Sequence, residues 1–148
     1  MRTLLLGACL LGVTNLLAMP NTHCKLVPGV GCGDLVINKS ARTQVIADKG
    51  SEKRYADEGM TFSFGANDIL ESISVTGKQY ATDKGISPGD KEERVLQVYG
   101  KPTKSGKMVL YKGEDEPIGS VGDRSLEYPG ILFVIAHGRV WAIIVSAK

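Results

Sequence analysis

The sequence predicts an α+β fold: two tandem repeats, each a helix followed by three strands, that form an antiparallel sheet with the helices on one face. A short helical pattern stops at Gly100 and Pro102, two residue types that end helices. The same pattern stands 50 residues earlier in the chain (90 − 40). The matched positions are Ser40 with Asp90, Val45 with Val95 and Gly50 with Gly100. Apolar and polar residues alternate after each helix, which is typical of strands with one buried face. Such repetition indicates a duplicated unit that completes a shared core.

Residues 1–18 have the pattern of a secretory signal peptide. Arg2 gives a positive start, an apolar stretch follows, and Ala18 is a small residue suited to cleavage. A membrane anchor fits less well, because a spanning helix needs about 20 apolar residues and Asn15 interrupts this stretch. A lipoprotein anchor at Cys9 is disfavoured, since too few residues precede it for a charged start and a full apolar segment. The mature protein is therefore expected to be periplasmic or secreted, without a transmembrane segment.

Residues 19–39 form an N-terminal segment with few helix signals. Export leaves Cys24 and Cys32 as a pair in a compartment that permits disulfides, and Pro28-Gly29 between them can turn the chain. A metal site built from His23 and the two cysteines would lack a fourth ligand at any usual spacing. We therefore predict a Cys24–Cys32 disulfide and no metal site.

The first repeat is expected to span residues 40–78 and the second residues 79–148. Ser40 and Asp90 are expected to cap their helices, with Glu93 reaching back to the start of the second one. Three antiparallel strands should follow each helix. They are predicted near Lys53–Ala56, Met60–Phe64 and Ile69–Val75 in the first repeat, and near Lys107–Lys112, Leu126–Ala136 and Arg139–Ala147 in the second. The second repeat also carries an inserted acidic loop, Gly113–Ser125.

Strand alternation predicts which residues face the helices. In the first repeat these are Met60, Phe62, Phe64, Ile73 and Val75. The aligned residues of the second repeat are Ile131, Phe133, Ile135, Ile143 and Val145. The helices, through Val45 and Val95, should lie across this face and complete the core.

Charge and motif content argue against several function classes. The chain has 18 basic and 16 acidic residues, a net charge of +2, whereas nucleic-acid binding needs a concentrated basic surface. His23 lies in the N-terminal segment and His137 in a tight turn, and no serine or free cysteine stands in a nucleophile motif. Glu114, Asp115 and Glu116 lack the spacing of a calcium loop. The sequence therefore predicts no enzyme, no catalytic residue and no cofactor.

The second repeat resembles two exported families in the Gly85-Ile86-Ser87-Pro88-Gly89-Asp90 stretch before the helix, the Tyr99-Gly100-Lys101-Pro102 stretch after it, and the hairpin that follows. One is the SmpA/OmlA domain of small outer-membrane assembly lipoproteins. The other is the beta-lactamase inhibitor proteins, which are built from two tandem helix-plus-sheet units. The tandem arrangement favours the inhibitor-like architecture. Both resemblances imply protein binding rather than catalysis, and neither supplies a functional residue for this chain.

The two repeats differ on the sheet face turned away from the predicted core. The first carries polar residues there: Thr61, Ser63, Ser72 and Ser74. The aligned positions in the second are apolar: Leu132, Val134, Ala142 and Ile144, with Val140 nearby. An apolar face of this kind needs a cover. Either the acidic loop, the N-terminal segment or a second protomer packs there, or these five residues and Tyr128 bind a partner.

The sequence thus favours an exported protein-binding module, such as an inhibitor or an immunity-type protein, whose partner is another exported or envelope protein. An envelope assembly factor is one alternative. A small-ligand or hydrolytic protein with an unrecognised site is another. A homodimer is compatible with the apolar face.

Overall fold

The computed structural model describes residues 24–46, 49–107, 111–112, 116–117 and 124–147. The α+β class is confirmed, because short helices combine with sheets whose strands are mostly antiparallel. The strands are β1 (Lys25–Val27), β2 (Gly31–Cys32), β3 (Leu35–Val36), β4 (Met60–Phe64), β5 (Leu70–Val75), β6 (Ala81–Thr82), β7 (Lys104–Gly106), β8 (Tyr111–Lys112), β9 (Glu116–Pro117), β10 (Arg124–Tyr128), β11 (Ile131–Ala136) and β12 (Arg139–Ser146). The helices are α1 (Arg42–Val45), α2 (Lys49–Asp57) and α3 (Glu92–Tyr99).

The main sheet joins strands from the two segments that the sequence predicts as repeats. Its six strands lie in the order β4-β5-β12-β11-β10-β7, with antiparallel pairing throughout. The first repeat contributes β4 and β5, and the second contributes the other four. Strand β5 pairs with β12 at the junction, where Val75 stands opposite Ile143. The sheet is therefore continuous across the boundary between the repeats.

Backbone pairings in the two repeats match at the offsets read from the sequence. An isolated bridge joins Ala41 to Ile69, and another joins Lys91 to Arg139, at offsets of 50 and 70 (91 − 41 and 139 − 69). The β4–β5 register shifts between Ser63 and Phe64. The β11–β12 register shifts between Val134 and Ile135, at an offset of 71 (134 − 63). The register shift therefore lies at corresponding positions in the β4–β5 and β11–β12 hairpins.

The predicted side-chain caps are wrong for both helices that begin at these bridges. The Asp90 carboxylate accepts a hydrogen bond from the Ser87 backbone N–H at 2.9 Å, and α3 begins without a side-chain cap. The Glu92 N–H of the first turn instead donates to the Gly138 carbonyl at 3.0 Å. Since the neighbouring hairpin turn supplies this acceptor, the first turn needs no carboxylate cap. The predicted C-terminus is confirmed for α3, where Gly100 has φ 76° and its N–H donates to Leu96 O. It is wrong for the first repeat, because α1 ends at Val45 and Gly50 lies inside α2.

Three strand boundaries differ from the predictions. The strand predicted at Lys53–Ala56 is wrong, because this stretch belongs to α2. Its lysine, arginine and alanine are good helix formers, and a short run cannot distinguish helix from strand by periodicity. The single strand predicted over Leu126–Ala136 is two strands, β10 and β11, separated by the Pro129-Gly130 turn. The strand predicted at Lys107–Lys112 is replaced by β7, which ends at Gly106, and by β8.

The predicted core residues form one cluster with members from both predicted repeats. Eight of the ten predicted strand residues are buried in it, and Phe62 and Phe64 pack against it half-buried. Val45 and Val95, from α1 and α3, belong to the same cluster. The helices therefore complete the core on one face of the sheet. Burying apolar surface in this way stabilises the fold by about 25 cal/mol per Å².

The N-terminal segment supplies three strands of a second, four-stranded sheet in the order β3-β2-β1-β6, and β6, from the predicted second repeat, pairs with β1 in parallel. The predicted Cys24–Cys32 disulfide is confirmed, with the two Cα atoms 5.4 Å apart. On the chain-entropy model so short a loop contributes about 2–3 kcal/mol. The Gly29 N–H donates to Gly130 O at 2.9 Å, so the turn between β1 and β2 docks on the β10–β11 turn. The predicted signal peptide and most of the predicted Gly113–Ser125 loop lie outside the described residues.

Candidate functional site

The candidate site lies on the outer face of the main sheet, the face turned away from α1 and α3. The pairing registers place one residue from each strand in a row across this face. In sheet order the row is Thr61, Ser74, Ile144, Leu132, Glu127 and Lys104. Alternate side chains of a strand point to opposite faces, so these residues share a face that the core residues do not. The row is polar at both ends and apolar in the middle.

The middle of this face is partly covered. Leu132 and Ile144 are half-buried, whereas Val134 and Ala142 are only 1% and 2% exposed and lie outside the core cluster. Val134 stands opposite Ala142 in the register, next to the Leu132–Ile144 pair. The structure therefore leaves Leu132 and Ile144 as the accessible part of the predicted patch. Lysine at Val134 would disrupt packing and could not test binding.

Two residues of the predicted patch belong to the core instead. Val140 stands opposite Ile135, whereas Val134 stands opposite Ala142, so Trp141 is an extra residue that bulges out of the ladder. The bulge returns Val140 to the core side, and it joins the core cluster. Tyr128 also belongs to this cluster. The prediction that Val140 lies on the outer face is wrong, since alternation alone does not include the bulge. The prediction that Tyr128 borders the patch is also wrong, because Tyr128 stands opposite the core residue Ile131 and shares its face.

A shallow depression of about 230 Å³ adjoins Leu132. Thr103 and Glu127 form one side, and Ser146 and Ala147 form the other. The Thr103 hydroxyl donates to Glu127 O at 2.8 Å. This hydrogen bond holds the residue before β7 against β10. The depression therefore has an apolar floor and a polar rim.

Three aromatic side chains, Tyr99, Tyr128 and Phe133, pack together on the core side of the strands that carry this depression. The Tyr128 ring lies 5.3 Å from the Tyr99 ring and 5.9 Å from the Phe133 ring. The Tyr128 hydroxyl donates to Gly100 O at 2.9 Å, so β10 is tied to the end of α3. Arg124 also pairs with Glu92, whose residue is only 8% exposed, at the start of that helix. Both ends of α3 are therefore anchored to β10.

Burial raises the pKa of four tyrosine phenols above the ordinary value of 10.0. They are Tyr55, Tyr80, Tyr99 and Tyr128, and removal of each hydroxyl from water is the largest cause. These raised pKa values do not identify a catalytic acid or base, because burial of a tyrosine in any packed core raises the pKa of its phenol in the same way.

We expect the stability of the protein to fall as the pH rises through about 10. The unfolded chain ionises these phenols near the ordinary pKa, whereas the folded protein keeps them neutral to higher pH. The stabilisation is therefore fully present below pH 10.0 and is lost as the pH passes the raised values. Thermal unfolding followed across this range, together with tyrosinate absorbance of the folded protein, measures both effects. Phenols that ionise below the ordinary value in the folded protein would contradict the expectation.

Some residues of the site were missed in the sequence. Thr103 and Ser146 read as ordinary polar residues near strand ends. Glu127 could have been found, since it alternates with Leu126 and Tyr128 just before the Pro129-Gly130 turn. Their convergence depends on the strand order, which the sequence did not provide.

Within the described residues, the arrangement offers contact surface and hydrogen-bonding groups. No group of three or more histidine, cysteine or acidic side chains is placed there to hold a metal ion. Each buried side-chain nitrogen or oxygen in that part of the chain has a hydrogen-bond partner. None of the described helices has the length and apolar character needed to span a bilayer.

No protein-family model matches this chain, and no curated protein sequence matches it either. The chain is similar to the crystal structure of a DUF4309 family protein (YjgB) from Bacillus subtilis, with a TM-score of 0.48 and 14% sequence identity. The match covers 81% of this chain and 88% of that chain. At this level of similarity no functional residue is carried over.

Proposed function

We propose that the protein is an exported protein-binding module that holds its partner on the outer face of the main sheet. The observation that carries the proposal is the apolar centre of this face, Leu132 and Ile144, beside the depression between Glu127 and Ser146. On the neighbouring strands of the first repeat the same face is polar. An apolar centre with a polar rim is the usual composition of a protein interface.

The size of the depression favours a protein partner over a small molecule. At about 230 Å³ it is below the roughly 300–1,000 Å³ typical of small-molecule sites. A protein interface of ordinary size covers about 800 Å² per partner, so the depression would be one part of a wider contact. The resemblance to the beta-lactamase inhibitor and SmpA/OmlA families points the same way, towards an inhibitor, an immunity-type protein or an assembly factor.

The Cys24–Cys32 disulfide supports the exported location. Such bonds persist in the periplasm and outside the cell, whereas the cytosol keeps thiols reduced. The partner is therefore another exported or envelope protein.

The proposal is tested with Leu132→Lys combined with Ile144→Lys. Both side chains are half-buried on the outer face, so lysines there place two charges at the centre of the contact. The matched control is Thr61→Lys with Ser63→Lys, which adds the same charge to the exposed polar part of the same face. Proteins retained from an envelope extract by the wild type and by both variants are identified and quantified, after the unfolding midpoints show that all three are folded.

A protein retained by the wild type and the control, but lost from the Leu132/Ile144 variant, supports the proposal. Equal retention by all three folded proteins contradicts it. An unfolded Leu132/Ile144 variant shows that these side chains are part of the packed structure. In that case Leu132→Ser, which removes apolar surface without adding charge, replaces the double variant.

A further inference from the structure

Strand β4 is an edge strand of the main sheet within the part of the chain that the structure describes. The Thr76 N–H donates to Gly59 O at 2.8 Å, and Gly65 N–H donates to Ile69 O at 3.0 Å. Since hydrogen-bonding direction alternates along an antiparallel pair, Thr61 and Ser63 turn their backbone groups towards β5. Met60, Phe62 and Phe64 therefore turn theirs away from the sheet. In the part of the chain that the structure describes, no strand pairs with this side of β4.

The same edge is occupied in the second repeat. Strand β11 corresponds to β4 at an offset of 71 (131 − 60), and β10 pairs with it through a tight turn at Pro129-Gly130. Tyr128 stands opposite Ile131, and Leu126 opposite Phe133. Subtracting 71 from each residue number pairs Asp57 with Met60, Tyr55 with Phe62 and Lys53 with Phe64. The segment that corresponds to β10 is therefore Lys53–Asp57, the last five residues of α2.

The turn and the central contact needed for this pairing are already in place. Gly59 has φ 78° and Gly130 has φ 77°, so the turn glycines share one conformation. The Tyr55 and Phe62 rings are 5.2 Å apart in an edge-to-face arrangement, as the Tyr128 and Phe133 rings are at 5.9 Å. A strand at Lys53–Asp57 would keep Tyr55 against Phe62.

Helix α2 is weakly held in its helical form. Among its side chains that the structure describes, residues 52–57, Tyr55 alone is buried. Lys53 and Asp57 form an ion pair, but both are largely exposed and such pairs contribute little. A nine-residue helix is marginal without packing, whereas the strand would satisfy the outward backbone groups of β4.

We propose that Lys53–Asp57 is a two-state segment. In one state it is the end of α2 and leaves the edge of β4 open. In the other it is an edge strand that pairs with β4 as β10 pairs with β11.

The test uses engineered cysteine pairs in the full-length oxidised protein. In the strand state Arg54 stands opposite Ser63, because both flank the Tyr55–Phe62 pair on the outer face. The in-register variant is Arg54→Cys with Ser63→Cys, and the matched control is Arg54→Cys with Thr61→Cys. The control cysteines are closer in sequence, 7 residues apart against 9 (61 − 54 and 63 − 54). Simple chain flexibility therefore favours the control, and strand pairing favours the in-register variant.

Free thiols are counted by alkylation and mass spectrometry after equilibration in a glutathione buffer. We expect loss of both engineered thiols in the in-register variant and their retention in the control. In the cross-linked protein the Phe62 amide should also gain protection from hydrogen exchange. Equal cross-linking of the two variants, or none in either, overturns the proposal. Circular dichroism of each variant, with Cys24–Cys32 intact, checks that it is folded. A pair that fails to fold is replaced by Ala56→Cys with Thr61→Cys, which is also in register.

Discussion

Gly130→Ala is expected to destabilise the protein by about 2–5 kcal/mol. Gly130 has φ 77°, and a left-handed conformation costs an alanine about 1–2 kcal/mol. Its Cβ would also lie 2.6 Å from Gly29 Cα and 2.9 Å from the Pro28 carbonyl carbon. Backbone cannot move aside as a flexible side chain can, so overpacking adds about 1–3 kcal/mol. The hydrogen bond from Gly29 N–H to Gly130 O would be strained at the same time.

Gly138→Ala is the matched control for this prediction. Gly138 has φ 71° and also follows a strand of the main sheet, but a Cβ there meets nothing within 4 Å. It should therefore show the conformational cost alone, about 1–2 kcal/mol. Urea unfolding of both variants measures the difference. Equal losses would mean that the contact between the two turns contributes nothing measurable.

Phe133→Ala is expected to cost about 3–5 kcal/mol, the usual range for a large aromatic side chain removed from a core. Phe133 is fully buried, and its ring lies 5.0 Å from that of Tyr99 and 5.9 Å from that of Tyr128. The cavity would open between β11 and the last turn of α3. Because β10 is tied to that helix end through Tyr128, the loss should spread to both elements.

Phe62→Ala provides the comparison within the same molecule. Phe62 occupies the corresponding place in the first repeat, at an offset of 71 (133 − 62), but it is only half-buried. It should cost less than Phe133→Ala in the same urea experiment, since it packs at a sheet edge with fewer surrounding groups. A larger loss for Phe62→Ala would show that the first repeat, rather than the second, holds the denser part of the core.

The buried face of the main strands was readable from the sequence because local chemistry defines it. Each turn glycine, Gly59 and Gly130, is followed by alternating apolar residues, and hydrophobic alternation specifies which face of a strand is buried. The predicted core residues and the Cys24–Cys32 pair followed from this local pattern and from the expected compartment. The structure confirms both.

The helix starts could not be predicted because their hydrogen-bond acceptors come from distant parts of the chain. Asp90 has the composition of a cap, but Gly138 O takes the Glu92 N–H. In the first repeat Asp68 O takes the Arg42 N–H at 2.7 Å in the same way. A local rule assigns the cap to the nearest suitable side chain and cannot include a carbonyl that folding brings alongside.

On the outer face, too, the local sequence predicted one part of the structure and contacts between distant residues decided the rest. The sequence by itself determined that Leu132 and Ile144 share an apolar face, because side chains in a strand alternate. The tertiary structure decided the rest: the bulge at Trp141 moved Val140 into the core, and packing on α3 placed Tyr128 there as well. For these two residues the energy of packing against residues far along the chain exceeded the small preferences that local sequence carries. At Lys53–Ala56 the helix preference of lysine, arginine and alanine prevailed over the strand that the repeat alignment predicts.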